Sequence, residues 1–249
     1  MEFDYTTAQV IAILATYAFA ATAKGVTSLG FSTICLPFLV ITVGLKDALP
    51  LIIIPSICTN LVVMKKAGKF GETLHRFWPM LLASLPGLFL GLWALELVEG
   101  PIASGVLGLI LLIWCALSYA KPDVKIKNKW ERFLSPISGF ATGIVNGLTG
   151  SQVMPSMPFL MALDLDRNLF IQAINCSFTL SSIVMVFGLG RLGLFSFEGV
   201  IISIVGTFIA FPCLNFGEYI RQQLSADTFR LALLSMLTVM GVGLVYRAF

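Results

Sequence analysis

Charged residues are scarce in this sequence. Only 12% of its 249 residues are Asp, Glu, Lys or Arg, whereas soluble domains carry about a quarter. Hydrophobic residues make up 57% of the chain, and the mean hydropathy is +0.93. This composition excludes an ordinary soluble domain and predicts an integral membrane protein. We expect residues 1–249 to form a single membrane domain, without room for a separate soluble enzyme or receptor.

The sequence also lacks the residue patterns of an enzyme or a metal protein. Its one histidine, His75, lies in a basic loop, and no nucleophile–base set or phosphate-binding loop is visible. The cysteines lie in apolar segments without a CxxC spacing, which indicates small packing residues: Cys35, Cys58, Cys115, Cys176 and Cys213. We therefore expect no catalytic residue, metal, cofactor or nucleic-acid partner.

One pattern occurs twice. The stretch GVTSLGFSTICLPFL runs from Gly25 to Leu39, and GLTGSQVMPSMPFL runs from Gly147 to Leu160. Each places glycine, threonine and other small or polar residues inside a long apolar run and ends in Pro-Phe-Leu. The first run, 6–44, would be roughly 60 Å long as one helix, twice a hydrocarbon core of about 30 Å. Both stretches are therefore predicted to break a membrane helix, leaving either a re-entrant hairpin or two crossings.

The two breaks open two similar halves of the chain. Residues 5–120 form the first predicted repeat and residues 133–249 the second, joined by a basic loop over 121–132. Each half contains five apolar segments. The fold class is thus an all-α integral membrane protein of two five-segment repeats, with broken or re-entrant helices at the start of each half. In the second half we expect the two arms at 133–147 and 154–163.

The positions of the basic loops predict how the chain is oriented in the membrane. Lysine and arginine concentrate in loops 65–76 and 121–132, which we expect to be cytoplasmic, with the N-terminus periplasmic. The acidic N-terminus does not resemble a signal peptide, so the first apolar segment should remain in the mature protein. Counting segments from these loops puts the two hairpins in opposite orientations, as in an inverted-topology repeat.

Polar groups at the breaks predict a binding site. Irregular backbone at membrane depth survives only within protein or against a wet cavity. The second arms, beginning near Phe31 and Ser151, would direct helix N-termini at an anion such as a sulfonate or carboxylate. The candidate substrate-binding residues are Lys24, Gly25, Thr27, Ser28, Ser32, Asn60, Asn146, Gly147, Thr149, Gly150, Ser151, Gln152 and Asn175.

Each of these assignments has a plainer alternative. The counterpart of Lys24 in the second half is Asn146. The depth of Lys24 in the membrane indicates a functional site. The plainer alternative is that its side chain reaches a membrane interface or pairs with a carbonyl. The glycines and threonines equally serve close helix packing. Arg167, behind Asp164 and Asp166, is either a gate or an interfacial anchor.

The doubled motif and the run NGLTGSQVMPSMPFL followed by FIQAIN, within residues 146–175, resemble the TauE/SafE family of sulfite exporters. The resemblance covers nearly the whole chain. It implies a multi-pass carrier in a bacterial inner membrane that moves sulfite, sulfoacetate or another organosulfonate. Many members of that family have glycines where Phe31-Ser32-Thr33 and Ser151-Gln152-Val153 stand here, which favours an organic anion over bare sulfite.

The sequence thus predicts a secondary transporter, most simply an exporter, working by alternating access on a small anion. Its partners would be that anion, the lipid bilayer and, in a homodimer, a second copy. An anion channel and a non-transporting membrane scaffold or assembly protein are the alternatives.

Overall fold

The fold is described by a computed structural model over residues 5–27, 30–120, 124–221, 223 and 226–248. It is helical, with no strand among those residues. In chain order the helices are α1 (Thr7–Thr27), α2 (Phe31–Val43), α3 (Leu45–Ala67), α4 (Phe70–Leu97), α5 (Gly100–Ala120), α6 (Asn128–Thr149), α7 (Ser156–Met161), α8 (Arg167–Arg191), α9 (Phe197–Arg221) and α10 (Ala226–Ala248). The predicted all-α membrane fold is confirmed.

Among the described residues, seven helices are long and apolar enough to cross a membrane: α1, α3, α4, α5, α8, α9 and α10. α3 and α8 are the most deeply buried of these and pack against each other at the centre. The outer helices expose large apolar side chains, including Trp78, Phe89 and Trp93 on α4 and Phe208 on α9. This outward-facing apolar surface is what a bilayer requires.

Helix α6 begins at Asn128, five residues before the predicted start, so residues 128–132 are helical and do not belong to a loop. Its charged first turn is tied to α4, because Arg76 forms a bidentate ion pair with Glu131 at 2.7 and 2.9 Å. Further along, Ser135, Ser138 and Thr142 are buried while apolar side chains between them are exposed. α6 therefore directs its polar side into the protein.

Two hairpins open the two halves of the chain. In the first, the Gln9 side-chain amide of α1 donates to the carbonyl of Thr42 at the end of α2, at 3.4 Å. In the second, the Ile126 N–H just before α6 donates to the carbonyl of Ala162 just after α7, at 2.9 Å. Each hairpin therefore begins and ends on the same side of the molecule, as a re-entrant hairpin and two full crossings both would.

The first arm of each hairpin packs against a helix of the other half of the chain. α1 packs on α9 of the second half, and α6 packs on α4 of the first half. Glycines allow both contacts: a Cβ on Gly25 would overlap the Leu214 carbonyl, and one on Gly147 would overlap the Leu88 carbonyl. Without a hydrophobic driving force between helices in lipid, such close backbone approach is a main source of packing energy. The remaining central pairs, α3 with α8 and α5 with α10, also join the halves.

A proline inside α3 creates one buried hydrogen-bonding site. Pro55 has no N–H, so the carbonyl of Leu51, four residues earlier, has no intrahelical donor. The Tyr17 hydroxyl of α1 donates to that oxygen at 2.6 Å, and the Ser203 hydroxyl of α9 donates at 3.0 Å. The carbonyl released by the proline thereby joins three helices.

Candidate functional site

The first break is shorter than predicted, because Gly25 to Thr27 belong to α1, but α2 begins at the predicted residue. α1 extends to Thr27, and α2 begins at Phe31 after Gly30, whose φ of 72° is in the left-handed region that favours glycine. Thr27 donates its hydroxyl to the Ala23 carbonyl at 2.9 Å and so completes the last turn of α1. Ser28, a predicted binding residue, lies outside the described residues.

The second break is displaced by two residues from the predicted 148–153, and the arm that follows it is shorter than predicted. α6 ends at Thr149, Gly150 has a φ of 75°, and α7 begins at Ser156. The start of α7 is held by Thr142, which accepts from the Ser156 N–H at 2.9 Å and contacts the Ser156 hydroxyl at 2.6 Å. With six residues, α7 is too short to supply the helix N-terminus predicted near Ser151. The dominant helix end at this break is the C-terminus of α6.

Both hairpins line one large cavity, here called the central cavity, of about 580 Å³. The first hairpin contributes the break residues Thr27 and Gly30, and the second contributes Val153 and Met157. Most of the remaining wall is apolar, including Ile34, Trp114, Leu160, Phe170, Phe178 and Leu237. The cavity therefore brings the first break and the second hairpin to the same space.

Three arginines lie in the wall of the central cavity: Arg167, Arg221 and Arg230. They stand at the start of α8, the end of α9 and the first turns of α10. That side of the molecule also carries Lys65 and Lys66 at the end of α3, and we call it the basic face. The Asp166 carboxylate caps α8 by accepting from the N–H groups of Asn168 and Leu169, at 3.0 and 3.1 Å. This cap positions Arg167.

A second space, the lysine cavity, has a volume of about 240 Å³ and adjoins the first through Arg167 and Arg221. Its other polar wall residues are Lys24, Lys66, Asn168 and Glu218. Lys66 pairs with Glu218 at 2.6 Å at the surface. Four cationic side chains thus surround one carboxylate, an arrangement that attracts anions.

Lys24 is fully buried and does not reach the surface. Its Nζ donates to Oδ1 of Asn60 and, at 3.4 Å, to Oγ1 of Thr59, both on α3. Thr59 in turn donates to the Pro55 carbonyl at 2.7 Å. Lys24 therefore pairs with oxygens within the protein, including the amide carbonyl of Asn60, and does not extend to the membrane interface. Its role in binding an anion stays a prediction.

A third and much smaller space, the polar cavity, lies at the second break between α3, α6 and α8. The volume open to the centre of a water molecule is about 10 Å³. Asn146, Gly150 and Gln152 line it from the second hairpin, and Ser56 and Ser182 line it from α3 and α8. The Gln152 amide donates to Ser182 Oγ at 3.0 Å.

Not every predicted binding residue reaches a cavity. Gly25 and Gly147 face the backbone of neighbouring helices, so their predicted approach to a ligand is replaced by helix packing. Thr149 caps α6, donating to the Val145 carbonyl at 2.7 Å and accepting from the Ser151 N–H at 3.2 Å. Four more of the predicted binding residues are buried but line none of the three cavities: Ser32, Asn60, Ser151 and Asn175.

Several cavity residues were not selected from the sequence. Arg221 and Arg230 lie near helix ends, where an arginine ordinarily marks a membrane boundary. Ser56 and Ser182 are single hydroxyls in apolar helices, where they commonly serve as interhelical glue. The positions of Ser56 and Ser182 in the sequence do not indicate that they lie near a break, because only the packing of α3 against α8 brings them to the polar cavity.

Comparison with known proteins identifies a family. The family model described as "Sulfite exporter TauE/SafE" matches residues 13–244, nearly the whole chain. No curated protein and no solved structure matches the chain.

Proposed function

The chain belongs to the TauE/SafE sulfite exporter family, and from that premise we propose that it is a secondary transporter exporting a small organosulfonate such as sulfoacetate, or else sulfite, by alternating access. The family is one of membrane transporters of sulfite and related sulfur anions. The substrate and the mechanism of access are our proposal.

The observation that carries this proposal is the central cavity. Its volume of about 580 Å³ is in the range of small-molecule sites, and arginines share its wall with apolar side chains. A guanidinium presents a planar set of donors that matches an oxyanion such as a sulfonate. The apolar wall suits the carbon portion of an organic anion, which bare sulfite does not have.

The arrangement of the two hairpins supports the proposal of alternating access. We infer that the first hairpin enters from the face opposite the basic face and the second from the basic face, as inverted repeats would require. The end-to-end hydrogen bonds between Gln9 and Thr42 and between Ile126 and Ala162 support this arrangement. Movement of one hairpin relative to the other would close the central cavity on the basic face and open it on the opposite face. In a bacterial inner membrane the basic face would be cytoplasmic, with the N-terminus periplasmic.

Transport by purified protein in liposomes tests the function. We expect saturable uptake of radiolabelled sulfoacetate, with counterflow when unlabelled sulfoacetate is inside. A channel would instead give flux that does not saturate and no counterflow. A scaffold would give no flux and no stabilisation by sulfonates or sulfite in a thermal-shift assay.

The arginines allow a matched comparison. Arg167→Gln should raise the KM for sulfoacetate at least about tenfold, because a lost charge-assisted hydrogen bond costs about 1.5–3 kcal/mol. Arg191→Gln is the control, since Arg191 ends the same helix on the opposite face and lines none of the three cavities. Equal effects of the two substitutions, or none from Arg167→Gln, would remove the central cavity from the transport path.

A further inference from the structure

The polar cavity at the second break contains buried polar atoms without partners. Within the described chain, the Asn146 amide has no hydrogen-bond partner at either Oδ1 or Nδ2, and Oε1 of Gln152 and Oγ of Ser56 have none. All three side chains are at least 95% buried. An unpaired polar group in such a place is costly, so a bound guest that engages these atoms would stabilise the fold.

The size of the polar cavity limits the guest. A cavity needs roughly 10–15 Å³ of volume open to a water centre to hold one water molecule, and this one offers about 10 Å³. A sulfonate or sulfite, with several oxygens around sulfur, does not fit. The guest is therefore a single water or a single small ion.

The local charge favours a cation. The described lining has no acidic or basic side chain, and its polar atoms are mainly the oxygens of Ser56, Gln152, Ser182 and Asn146. The C-terminus of α6 ends beside them at Thr149, and a helix C-terminus carries partial negative charge on its last carbonyls. Amide, hydroxyl and carbonyl oxygens are the ligands of hard cations. A divalent ion would need carboxylates to balance its charge in a dry site, which leaves a monovalent ion.

The first half of the chain places a cationic group at the corresponding position. An interval of 122 residues separates Lys24 from Asn146, Asn60 from Ser182, and the first residue of α3 from that of α8. In the first half, Lys24 directs its amino group at Oδ1 of Asn60. The same interval relates Val63 in the wall of the lysine cavity to Met185 in the wall of the polar cavity. Asn146 thus replaces a lysine with a shorter, neutral side chain, and the polar cavity lies beside it.

We propose that the polar cavity binds one dehydrated Na⁺ ion, held by side-chain oxygens of Asn146, Gln152 and Ser56 at the C-terminus of α6. The ion takes the role that the Lys24 amino group has in the first half. Its use as the coupling ion rests on the proposed transport function, whereas the binding site itself does not.

Sodium binding can be measured without transport. Purified protein in lipid nanodiscs is heated in NaCl, KCl or choline chloride at equal ionic strength, and radioactive sodium binding is measured directly. Saturating Na⁺ should raise the unfolding midpoint by about 2–4 °C relative to choline, with a smaller effect of the larger K⁺. Chloride is common to all three salts, so an anion effect does not contribute.

Substitutions test which residues bind the sodium ion. Asn146→Leu should abolish the sodium-dependent shift and sodium binding, and Asn146→Lys should do the same while supplying the tethered amino group found in the first half. Ser56→Ala, a milder change, should weaken sodium binding at least about fivefold. Thr73→Val is the control, because Thr73 is equally buried and its hydroxyl also has no described partner, but it lines none of the three cavities.

A wild-type protein with no sodium-dependent shift and no sodium binding would overturn the proposal and leave the cavity to a water molecule. A shift that persists in both Asn146 variants would place the ion elsewhere and also overturn it. Sodium binding with no sulfonate flux would contradict the proposed function and leave the ion site intact.

Discussion

Lys24 shows how much of the site depends on individual residues. A buried lysine inside a membrane domain is costly unless it is engaged, and here it donates to Asn60 and Thr59 on α3 while lining a cavity with Arg167 and Arg221. The single basic residue beside a predicted break was visible in the sequence. The oxygens that hold it were not, since Thr59 lies 35 positions further along the chain.

Replacing this lysine should impair transport without unfolding the protein. Lys24→Met keeps the aliphatic length and removes the amino group, so we expect sulfoacetate flux in liposomes to fall at least about tenfold, the effect of losing roughly 1.4 kcal/mol of anion binding. Lys69→Met is the control, because Lys69 is exposed and pairs with Glu72 at 3.0 Å. Normal flux in Lys24→Met would limit Lys24 to a structural role.

Glycines were the residues most easily misinterpreted. A glycine that admits a ligand and a glycine that admits a neighbouring helix both need only the absence of a Cβ, so the sequence could not separate them. Gly25 and Gly147 belong to the second kind, whereas Gly30 and Gly150 have positive φ angles and line cavities.

The contact between α4 and α6 gives a sharp stability prediction. Gly139, Gly143 and Gly147 lie one turn apart and face the carbonyls of Met80, Ser84 and Leu88. Gly143→Ala should therefore lower stability by about 1–3 kcal/mol, since the added methyl meets backbone that cannot move aside. SDS-induced unfolding in mixed micelles measures the change.

Gly71→Ala provides the comparison for that experiment. Gly71 is also helical, but nothing lies within 4 Å of its Cβ position. We expect this substitution to be neutral or slightly stabilising, as alanine is the better helix former. If Gly143→Ala were equally harmless, the close α4–α6 approach would be incorrect.

Among the helices, α3 joins its neighbours through hydrogen bonds, because a proline has no N–H and leaves the carbonyl four residues earlier without an intrahelical donor. The Leu51 carbonyl, freed by Pro55, accepts from Tyr17 and Ser203. Tyr17→Phe should destabilise the protein by about 0.6–1.7 kcal/mol, which spans the average and the largest value for an interhelical hydrogen bond in a membrane protein. The double variant with Ser203→Ala should cost more, because the buried oxygen then has no donor.

A third substitution tests whether Pro55 is the reason that the Leu51 carbonyl accepts from Tyr17. Pro55→Ala restores an N–H that can reach the Leu51 carbonyl, so Tyr17→Phe should cost clearly less in the Pro55→Ala background than in the wild type. A double-mutant cycle on the free energy of unfolding measures this coupling. A cost that is the same in both backgrounds would show that the proline does not create the acceptor.

The hairpin elements were predictable in outline and uncertain in detail. Two glycines with positive φ, Gly30 and Gly44, flank α2, which begins where the pattern placed it, whereas α1 extends to Thr27, beyond its predicted end. The second break was predicted at 148–153 and lies two residues further along, because Thr142, on the preceding arm, determines that α7 starts at Ser156. The start of α6 was missed because its charges resembled a loop, and Glu131 is stabilised there by Arg76 on another helix.

For the whole molecule, composition was sufficient to predict a helical membrane protein, and the doubled motif was sufficient to identify the family. The arrangement of cavities was not predictable, because it depends on how the halves exchange their hairpins: α1 lies against α9, and α6 against α4. That exchange places Val153 of the second half and Gly30 of the first in the wall of the same central cavity. The two proposed ligands accordingly occupy separate places, the sulfur anion between the hairpins and sodium behind the second break.

The central claim is that the two hairpins enclose a water-accessible space that binds the transported anion. Single cysteines at Thr33 and Met157, one from each hairpin and both lining the central cavity, can be introduced into a protein without its native cysteines. Val239, exposed on α10, serves as the lipid-facing control. We predict that a membrane-impermeant thiol reagent modifies both cavity cysteines, that sulfoacetate slows both reactions, and that the cysteine at 239 does not react. Failure of either cavity cysteine to react, or reaction rates unchanged by sulfoacetate and sulfite, would contradict the account.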